Sequence, residues 1–410
     1  MKTTALLLVA VIVFLGVSVA SANAQQTIDF ATALELTRKN NPDWRAAEQE
    51  VRITRGKLTT ARLISPFNPV LEGQVGPRKM PGERTGADYG VGISMELEIA
   101  GQRGTRITEA ESDVQRAEAA FKDFARTFTG KVARAFYQAI FARERLALLR
   151  RIEGLNSRLL EVTRTKFDAG DVSGLEVNVS TVRYGQSRKD ALDAERTASH
   201  ALLELQRLIG VEEAVLPAGD LRVTLPPLPI EEVLPRALSN RADLLAKRYE
   251  LQRAEAEIAL RKREVIPNPS VGVFFNREAS GDRTVLGGIS IPIPIFNRRQ
   301  GELESLGARK TQAGAELQAA EKEIRKEVAQ AVSQWEINRR NIDLFQREVM
   351  EQTDENFRLL EAAYRERKID LPRLLIMEND LVNANQSYLD ILLSLREAAI
   401  QLQEVTGEIR

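Results

Sequence analysis

Val91-Gly92-Ile93-Ser94-Met95-Glu96-Leu97-Glu98-Ile99 and Gly288-Ile289-Ser290-Ile291-Pro292-Ile293-Pro294-Ile295 decide how this chain is read. In both, apolar residues alternate with glycine, polar residues or proline. Strict alternation predicts strands with one apolar and one polar face. About 9–11 such residues cross a bilayer as a tilted strand, lipid on one side and water on the other. Partner strands lie upstream, at Val70 to Gly76 and at Val271 to Asn276, the latter with Val271, Val273 and Phe275 on one face. The segments between partners, Pro77 to Asp88 and Arg277 to Thr284, are polar and read as loops. Proline cannot donate to a closed ladder. The strand is therefore expected to end near Ile291, with Pro292 to Asn297 an extended connector. A small soluble sheet is the competing reading. Four strands cannot close a membrane barrel, because an open edge in lipid leaves unpaired backbone groups costing several kcal/mol each. If these strands span a membrane, several copies share one barrel.

Working outward, the two strand pairs belong to two similar halves. Asn40-Asn41-Pro42-Asp43-Trp44 corresponds to Asn240-Arg241-Ala242-Asp243-Leu244, and Phe67-Asn68-Pro69 to Pro267-Asn268-Pro269, an offset near 200. Gly92 meets Gly288 and Val132 meets Val328 at 196, and Gly210 meets Gly407 at 197. Each half is predicted to run helix, two strands, very long helix, helix, and the helices feeding the strands are expected to stop at Asn-Pro. The first half occupies residues 25–210 and the second 231–410. Residues 211–230, with Pro217, Pro226, Pro227 and Pro229, read as an extended linker.

The long helices carry heptads. Ile107, Ala110, Val114, Ala117, Phe121, Phe124 and Phe128 step by three and four, slip four to Val132, then resume through Ala135, Ala139, Ala142, Leu146 and Leu149. Leu303 to Ile324 shows the same pattern and the same slip to Val328, with Lys310 and Asn338 as imperfect positions. Such a pattern packs helices along their length, and an inserted four is a stutter. Leu374, Leu381, Tyr388, Leu395 and Leu402 give a returning helix, whose first-half counterpart carries Ser180 and Ser187 in the seam. A helix from Arg103 to Phe167 would span about 100 Å. From the helices alone, a coiled-coil rod would serve as well; the strands argue against it.

Composition narrows the function. The chain of 410 residues carries 58 Lys+Arg against 58 Asp+Glu, no Cys and one His. No disulfide, thiol nucleophile, Cys-ligated metal or lipidated cysteine is available. Balanced charge argues against a nucleic-acid partner. Met1 to Ala24 reads as a secretory signal peptide, with Lys2, an apolar run from Ala5 to Val19, and Ala22-Asn23-Ala24 placing cleavage after Ala24.

On these residues the chain resembles the TolC family of outer-membrane efflux proteins, and within it the CzcC-type heavy-metal subgroup. The likeness covers about residues 28–409. It is carried by the duplication, Glu98-Ile99-Ala100-Gly101-Gln102-Arg103-Gly104, Ile291 to Gly301, Phe167-Asp168-Ala169-Gly170-Asp171-Val172-Ser173, and Tyr364-Arg365-Glu366-Arg367-Lys368-Ile369-Asp370. The resemblance implies a mainly α fold with a small membrane β-barrel portion. Three chains would form a 12-stranded barrel and a trimeric α-barrel crossing the periplasm. It implies the exit duct of a tripartite system with a periplasmic adaptor (membrane fusion protein) and an inner-membrane pump of the RND type, with no cofactor. It places the turns near residues 168–173 and 366–371 at the adaptor-docking tip, with Phe167, Gly170, Val172, Ser173, Tyr364, Lys368 and Ile369 as contacts. Arg367 stands where the family usually has Gly, so that turn is expected to be made differently. Asp370, among Arg365, Arg367, Lys368 and Arg373, is the candidate pore constriction, through an intersubunit Asp370–Arg network; solvated tip charges are the plainer reading.

No Walker loop, nucleophile elbow or HExxH motif is present, and His200 falls among helical residues, so no enzyme is expected. CzcC-like ducts imply metal cations such as cobalt, zinc, cadmium, copper or silver. Multidrug efflux and type I protein secretion use the same architecture. A secreted periplasmic coiled-coil interaction protein is the alternative of another class.

Overall fold

The computed structural model describes residues 26–79, 82, 85–223, 229–348 and 353–409. The segment read as a signal peptide, with its cleavage at Ala24, lies outside the described residues, as do Pro226 and Pro227.

Each half opens with two helices rather than one: α1 (Phe30–Asn40) and α2 (Pro42–Ala61), then α5 (Ile230–Asn240) and α6 (Ala242–Arg263). The break between α1 and α2 is set by Asn41. Its side-chain oxygen accepts from the Asp43 and Trp44 N–H groups at 2.8 and 3.0 Å, capping α2, and Pro42 suits the first helical position. The Asn41 amide donates to Leu208 O at 2.9 Å, so the cap also holds the end of a returning helix. In the second half Arg241 takes this place without capping. Its guanidinium bridges Asp243 and Glu327. Burial pushes Asp243 up, but the hydrogen bond and charge of Arg241 outweigh it and hold the carboxyl below its usual range.

Both helices stop before Asn68-Pro69 and Asn268-Pro269, correcting the expected boundary. α2 ends at Ala61 and α6 at Arg263, and beyond them Pro66 and Pro267 disfavour helical backbone at Ser65 and Ile266, so neither helix resumes before the strands. The chain then enters β2 (Val70–Lys79) and β3 (Thr85–Glu96), or β5 (Ser270–Arg277) and β6 (Arg283–Ser290). These form one antiparallel sheet in the order β2-β3-β5-β6. The strands run further into the supposed loops than expected. Pairing continues to Lys79–Thr85 and Arg277–Arg283, because a ladder needs backbone partners and not apolar side chains. At that end Arg78 pairs with Glu278 and lies 3.6 Å from Asp88. β6 ends at Ser290, ahead of Pro292 and Pro294.

Below the sheet run α3 (Gln102–Asp168), α4 (Gly174–Ile209), α7 (Gln300–Glu348), α8 (Thr353–Arg365) and α9 (Leu371–Thr406). At 67 residues α3 is about 100 Å long. The heptad positions Leu374, Tyr388, Leu395 and Leu402 are buried, and so are Ser180 and Ser187. The serines cost little there: Ser180 donates to Thr163 at 3.2 Å and Ser187 to the Tyr184 carbonyl at 3.0 Å. Buried Asn338 donates to Ser394 O at 3.0 Å, whereas Lys310 lies outside the seam on Glu255 at 3.0 Å.

The shared slip lies within the main hydrophobic core. Around it Phe128, Thr129, Val132, Ala133, Phe136, Ala139, Ile140 and Phe141 are all buried, so α3 is covered on most of its circumference, with Lys131 left exposed. The cover comes from α1, through Phe30 stacked edge-on against Phe136, and from a two-stranded parallel sheet of β1 (Gln26–Ile28) and β4 (Val215–Pro217). Residues 211–223, the described first part of the Pro-rich segment, are therefore clamped rather than free. Val215 and Leu221 are buried, and Arg396 of α9 donates to the carbonyls of Asp220, Leu221 and Arg222.

Candidate functional site: a two-faced wall and a paired helix tip

Register fixes the two faces of the sheet. Leu71, Ile93, Val273 and Gly287 lie in one row across the strands, and Gly73, Val91, Phe275 and Val285 in the next. With Val75, Tyr89, Val271 and Ile289 they make one continuous apolar face, and its large side chains are exposed; Leu71 and Ile289 each retain 75% of their accessible surface. The other face carries Glu72, Gln74, Ser94, Glu96, Ser270, Asn276, Thr284 and Ser290. Glu72 accepts from Ser94 at 3.0 Å and Glu96 from Asn268 at 2.9 Å. Phe274, paired with Leu286, is the one ring on this face. It lies against Gly92, Gly272 and Gly288, where an added Cβ would approach it to 2.2, 3.0 and 2.9 Å. The glycines let the ring lie along the wall.

A single wide apolar face of this kind suits lipid, and a polar face behind it suits water. Both edges, β2 and β6, are unpaired among the described residues of the chain. Among the described residues no helix is long and apolar enough to cross a membrane, and no group of three or more His, Cys, Asp or Glu could hold a metal ion. His200 is exposed on α4.

At the far end, two helical turns are built alike. After α3, Ala169 N–H donates to Thr165 O, Gly170 to Phe167 O and Asp171 to Lys166 O, at 3.1, 2.9 and 2.8 Å. After α8, Glu366 donates to Ala362 O, Arg367 to Tyr364 O and Lys368 to Ala363 O, at 2.9, 3.2 and 2.8 Å. Gly170 has φ 79° and Arg367 φ 60°. The second turn is thus made in the same way as the first, against expectation: Arg367 itself enters the left-handed region, at a cost of roughly 1–2 kcal/mol for a residue with Cβ. Its guanidinium pairs with Asp171 of the first turn. Arg299, at the start of α7, is the other non-glycine residue with positive φ among the described residues, 58°, and it too is held by acids, Glu264 and Glu302 at 3.1 and 2.9 Å.

Val172, Tyr364, Arg367, Lys368, Ile369, Asp370 and Arg373 line one depression between the turns. Gly170, Phe167 and Ser173 lie on the α3–α4 turn outside it; Phe167 is exposed and Ser173 caps α4. Two residues outside the expected contact set join the turns. Lys166 donates to Tyr364 O at 2.9 Å and sits 4.0 Å above the Tyr364 ring, and Asp171 receives Arg367. The signal for both was their place in the turn, four before and one after Gly170. Tyr364 is buried, 3.3 Å from Thr163 Oγ1, and burial pushes its phenol up.

Asp370 is the N-cap of α9, accepting from the Arg373 N–H at 3.1 Å. Asp370→Ala should loosen the first turn of α9 by about 1 kcal/mol, and Asp370→Ser should restore it. Hydrogen exchange at residues 371–375 reads this directly. If Ser behaves as Ala does, the carboxylate charge, not the cap, is what the position supplies.

The sequence matches the family described as outer membrane efflux protein over residues 33–211 and 233–408. It is 24% identical over 378 residues to the cobalt-zinc-cadmium resistance protein CzcC of Cupriavidus metallidurans, covering 92% of this chain and 89% of that protein. Among solved structures, the fold superimposes on CusC with a TM-score of 0.75 at 18% identity, over 92% of each chain. It superimposes on the CmeC outer membrane channel of Campylobacter jejuni with a TM-score of 0.78 at 14% identity, covering 92% of this chain and 85% of that one.

Proposed function

The chain belongs to the outer membrane efflux protein family, and from that premise we propose that it is the outer-membrane exit duct of a tripartite metal-efflux system. Three copies pool their strands into a 12-stranded barrel, and their helices continue the bore through the periplasm. A periplasmic adaptor docks at the paired tip, around Phe167, Gly170, Val172, Ser173, Tyr364, Lys368 and Ile369. An inner-membrane pump of the RND type supplies the energy, since the duct has no means of its own. Asp370, with Arg367 and Arg373, sets the charge at the pore mouth.

One observation carries this reading: a four-stranded sheet, apolar on one face, polar on the other and open at both edges among the described residues, stands on long helices, the longest of which, α3, is about 100 Å. Such a sheet is incomplete in lipid until its edges meet others. Cations as cargo are favoured by the carboxylates Glu72 and Glu96 on the polar wall and by the resistance named for the Cupriavidus relative. The wall needs no selective ligands, because passage through a wide aqueous bore is diffusion down a gradient that the pump creates. Deleting the gene in its host should lower tolerance to divalent metals at least several-fold, with restoration by the intact gene. Unchanged metal tolerance with raised sensitivity to organic toxicants would assign the same duct to multidrug export.

A further inference from the structure

We propose that the two open edges join between copies in one fixed register: Ser290 opposite Glu72, Gly288 opposite Gln74 and Leu286 opposite Gly76 of the neighbouring copy. This rests on the reading of the chain as a shared barrel, and adds to it which residues meet.

The register follows from the internal duplication. Paired residues in β2–β3 have numbers summing to 164, as in Val70 with Ser94. The second half repeats the first strand of each pair at an offset of 200 (Asn68 to Asn268) and the second at 196 (Gly92 to Gly288). Adding both to 164 gives 560, the sum observed throughout β5–β6, as in Ser270 with Ser290. The duplication therefore carries register from one half to the other without slippage. The join between halves, β3–β5, sums to 366, as in Glu96 with Ser270. Its counterpart is β6 against a neighbour's β2. Moving β3 forward by 196 and β5 back by 200 gives 366 + 196 − 200 = 362. An even sum sets odd residues opposite odd ones. The apolar residues Ile289 and Val285 then lie beside Gly73 and Pro77 on the lipid side, and the polar residues Ser290 and Glu72 meet on the water side. A register shifted by one would mix the faces.

The prolines fit the same frame. Leu97 N–H donates to Pro269 O at 2.9 Å across the β3–β5 join, so odd residues of β3 aim their backbone groups at β5. By the duplication, odd residues of β6 and β2 aim theirs at the open edges. Pro292 and Pro294 are even, so the N–H each lacks would have pointed back toward the chain's own β5. The connector can thus continue the seam past Ser290, with Ile293 N–H donating to Pro69 O of the neighbour as Leu97 does to Pro269. Pro77 is odd, and its position opposite Val285 loses one of two seam bonds.

Cysteine pairs test this, and the natural chain contains no Cys to confuse the result. With odd residues exchanging hydrogen bonds, Glu72 and Ser290 form a non-hydrogen-bonded pair, whose Cα separation of about 4.5 Å suits a disulfide. Within one chain the two lie on opposite edges, about 14 Å apart across three strand spacings, so any link must join copies. The full chain would be prepared in outer membranes as E72C/S290C, V70C/S290C and Q74C/S290C, oxidised, and run on a non-reducing gel. E72C/S290C should give covalent rings of three chains, at least fivefold more than either shifted pair. Stronger linking of V70C/S290C or Q74C/S290C would overturn the register while leaving the shared barrel standing. No linking in any pair, with the native complex still oligomeric, would overturn the seam. A native monomer would overturn the seam and the duct reading together.

Discussion

Gly210→Ala should lower the stability of the assembled protein by on the order of 3 kcal/mol, more than most single-methyl additions. Gly210 ends α4 with φ 71°, a conformation in which a Cβ alone costs roughly 1–2 kcal/mol. The methyl would also lie 2.8 Å from Asn40 C, 2.9 Å from Asn41 N and 3.0 Å from Asn40 O. These are backbone atoms, and they cannot swing aside. Asn41 is fixed on both sides, capping α2 and donating to Leu208 O. Overpacking against such a wall adds about 1–3 kcal/mol. Two other glycines separate the contributions. Gly407 has φ 74° but meets Asn240 atoms only at 3.2–3.3 Å, and Gly170 has φ 79° with nothing within 4 Å. The loss of thermal stability, read as the temperature at which the oligomer dissociates, should rank Gly210→Ala above Gly407→Ala above Gly170→Ala. Equal losses at all three would mean that only the dihedral matters.

Val273→Lys should be nearly as damaging, for a different reason. Val273 lies in the row Leu71–Ile93–Val273–Gly287 on the apolar face and is 55% exposed in the single chain. In a bilayer that exposure is to lipid. A lysine near the middle of a barrel wall costs about 2–4 kcal/mol, and every copy bears it. Asn276→Lys, three residues along β5 on the polar face, should be tolerated, because its ammonium would face water. The readout is the amount of heat-resistant oligomer in the outer-membrane fraction: sharply reduced for Val273→Lys, near wild type for Asn276→Lys. If both accumulate normally, the apolar face does not meet lipid.

Those strands were the most legible part of the chain, because alternation at Val91 to Ile99 has a single physical meaning once its apolar face is wide. Their ends were not, since Pro77 to Asp88 is polar, and polarity marks only where lipid stops. Pairing persists beyond it. Heptads made α3 and α9 plain, but α1, α5, β1 and β4 are too short to show a period and went unread. The slip at Phe128 to Val132 was visible as an irregularity. What accompanies it, a helix buried on most of its circumference where those short elements pack, is a tertiary fact. At the tip, the turns were marked by Gly170 and by the position of Arg367, yet the left-handed φ of Arg367 could not be read from an arginine. The contact holding it, Asp171, comes from the other half of the chain, 196 residues away. Asp370 is a candidate pore charge only by the family resemblance. Its place at the start of α9 also gives it a cap's work, which only the helix boundary reveals.

The mass of the complex extracted from outer membranes in mild detergent tests the central claim most directly. Four strands per chain demand shared closure, and the account predicts a particle of three chains that conducts ions when inserted in a planar bilayer. A single chain of at most 45.7 kDa, stable in detergent and silent in the bilayer, would contradict it.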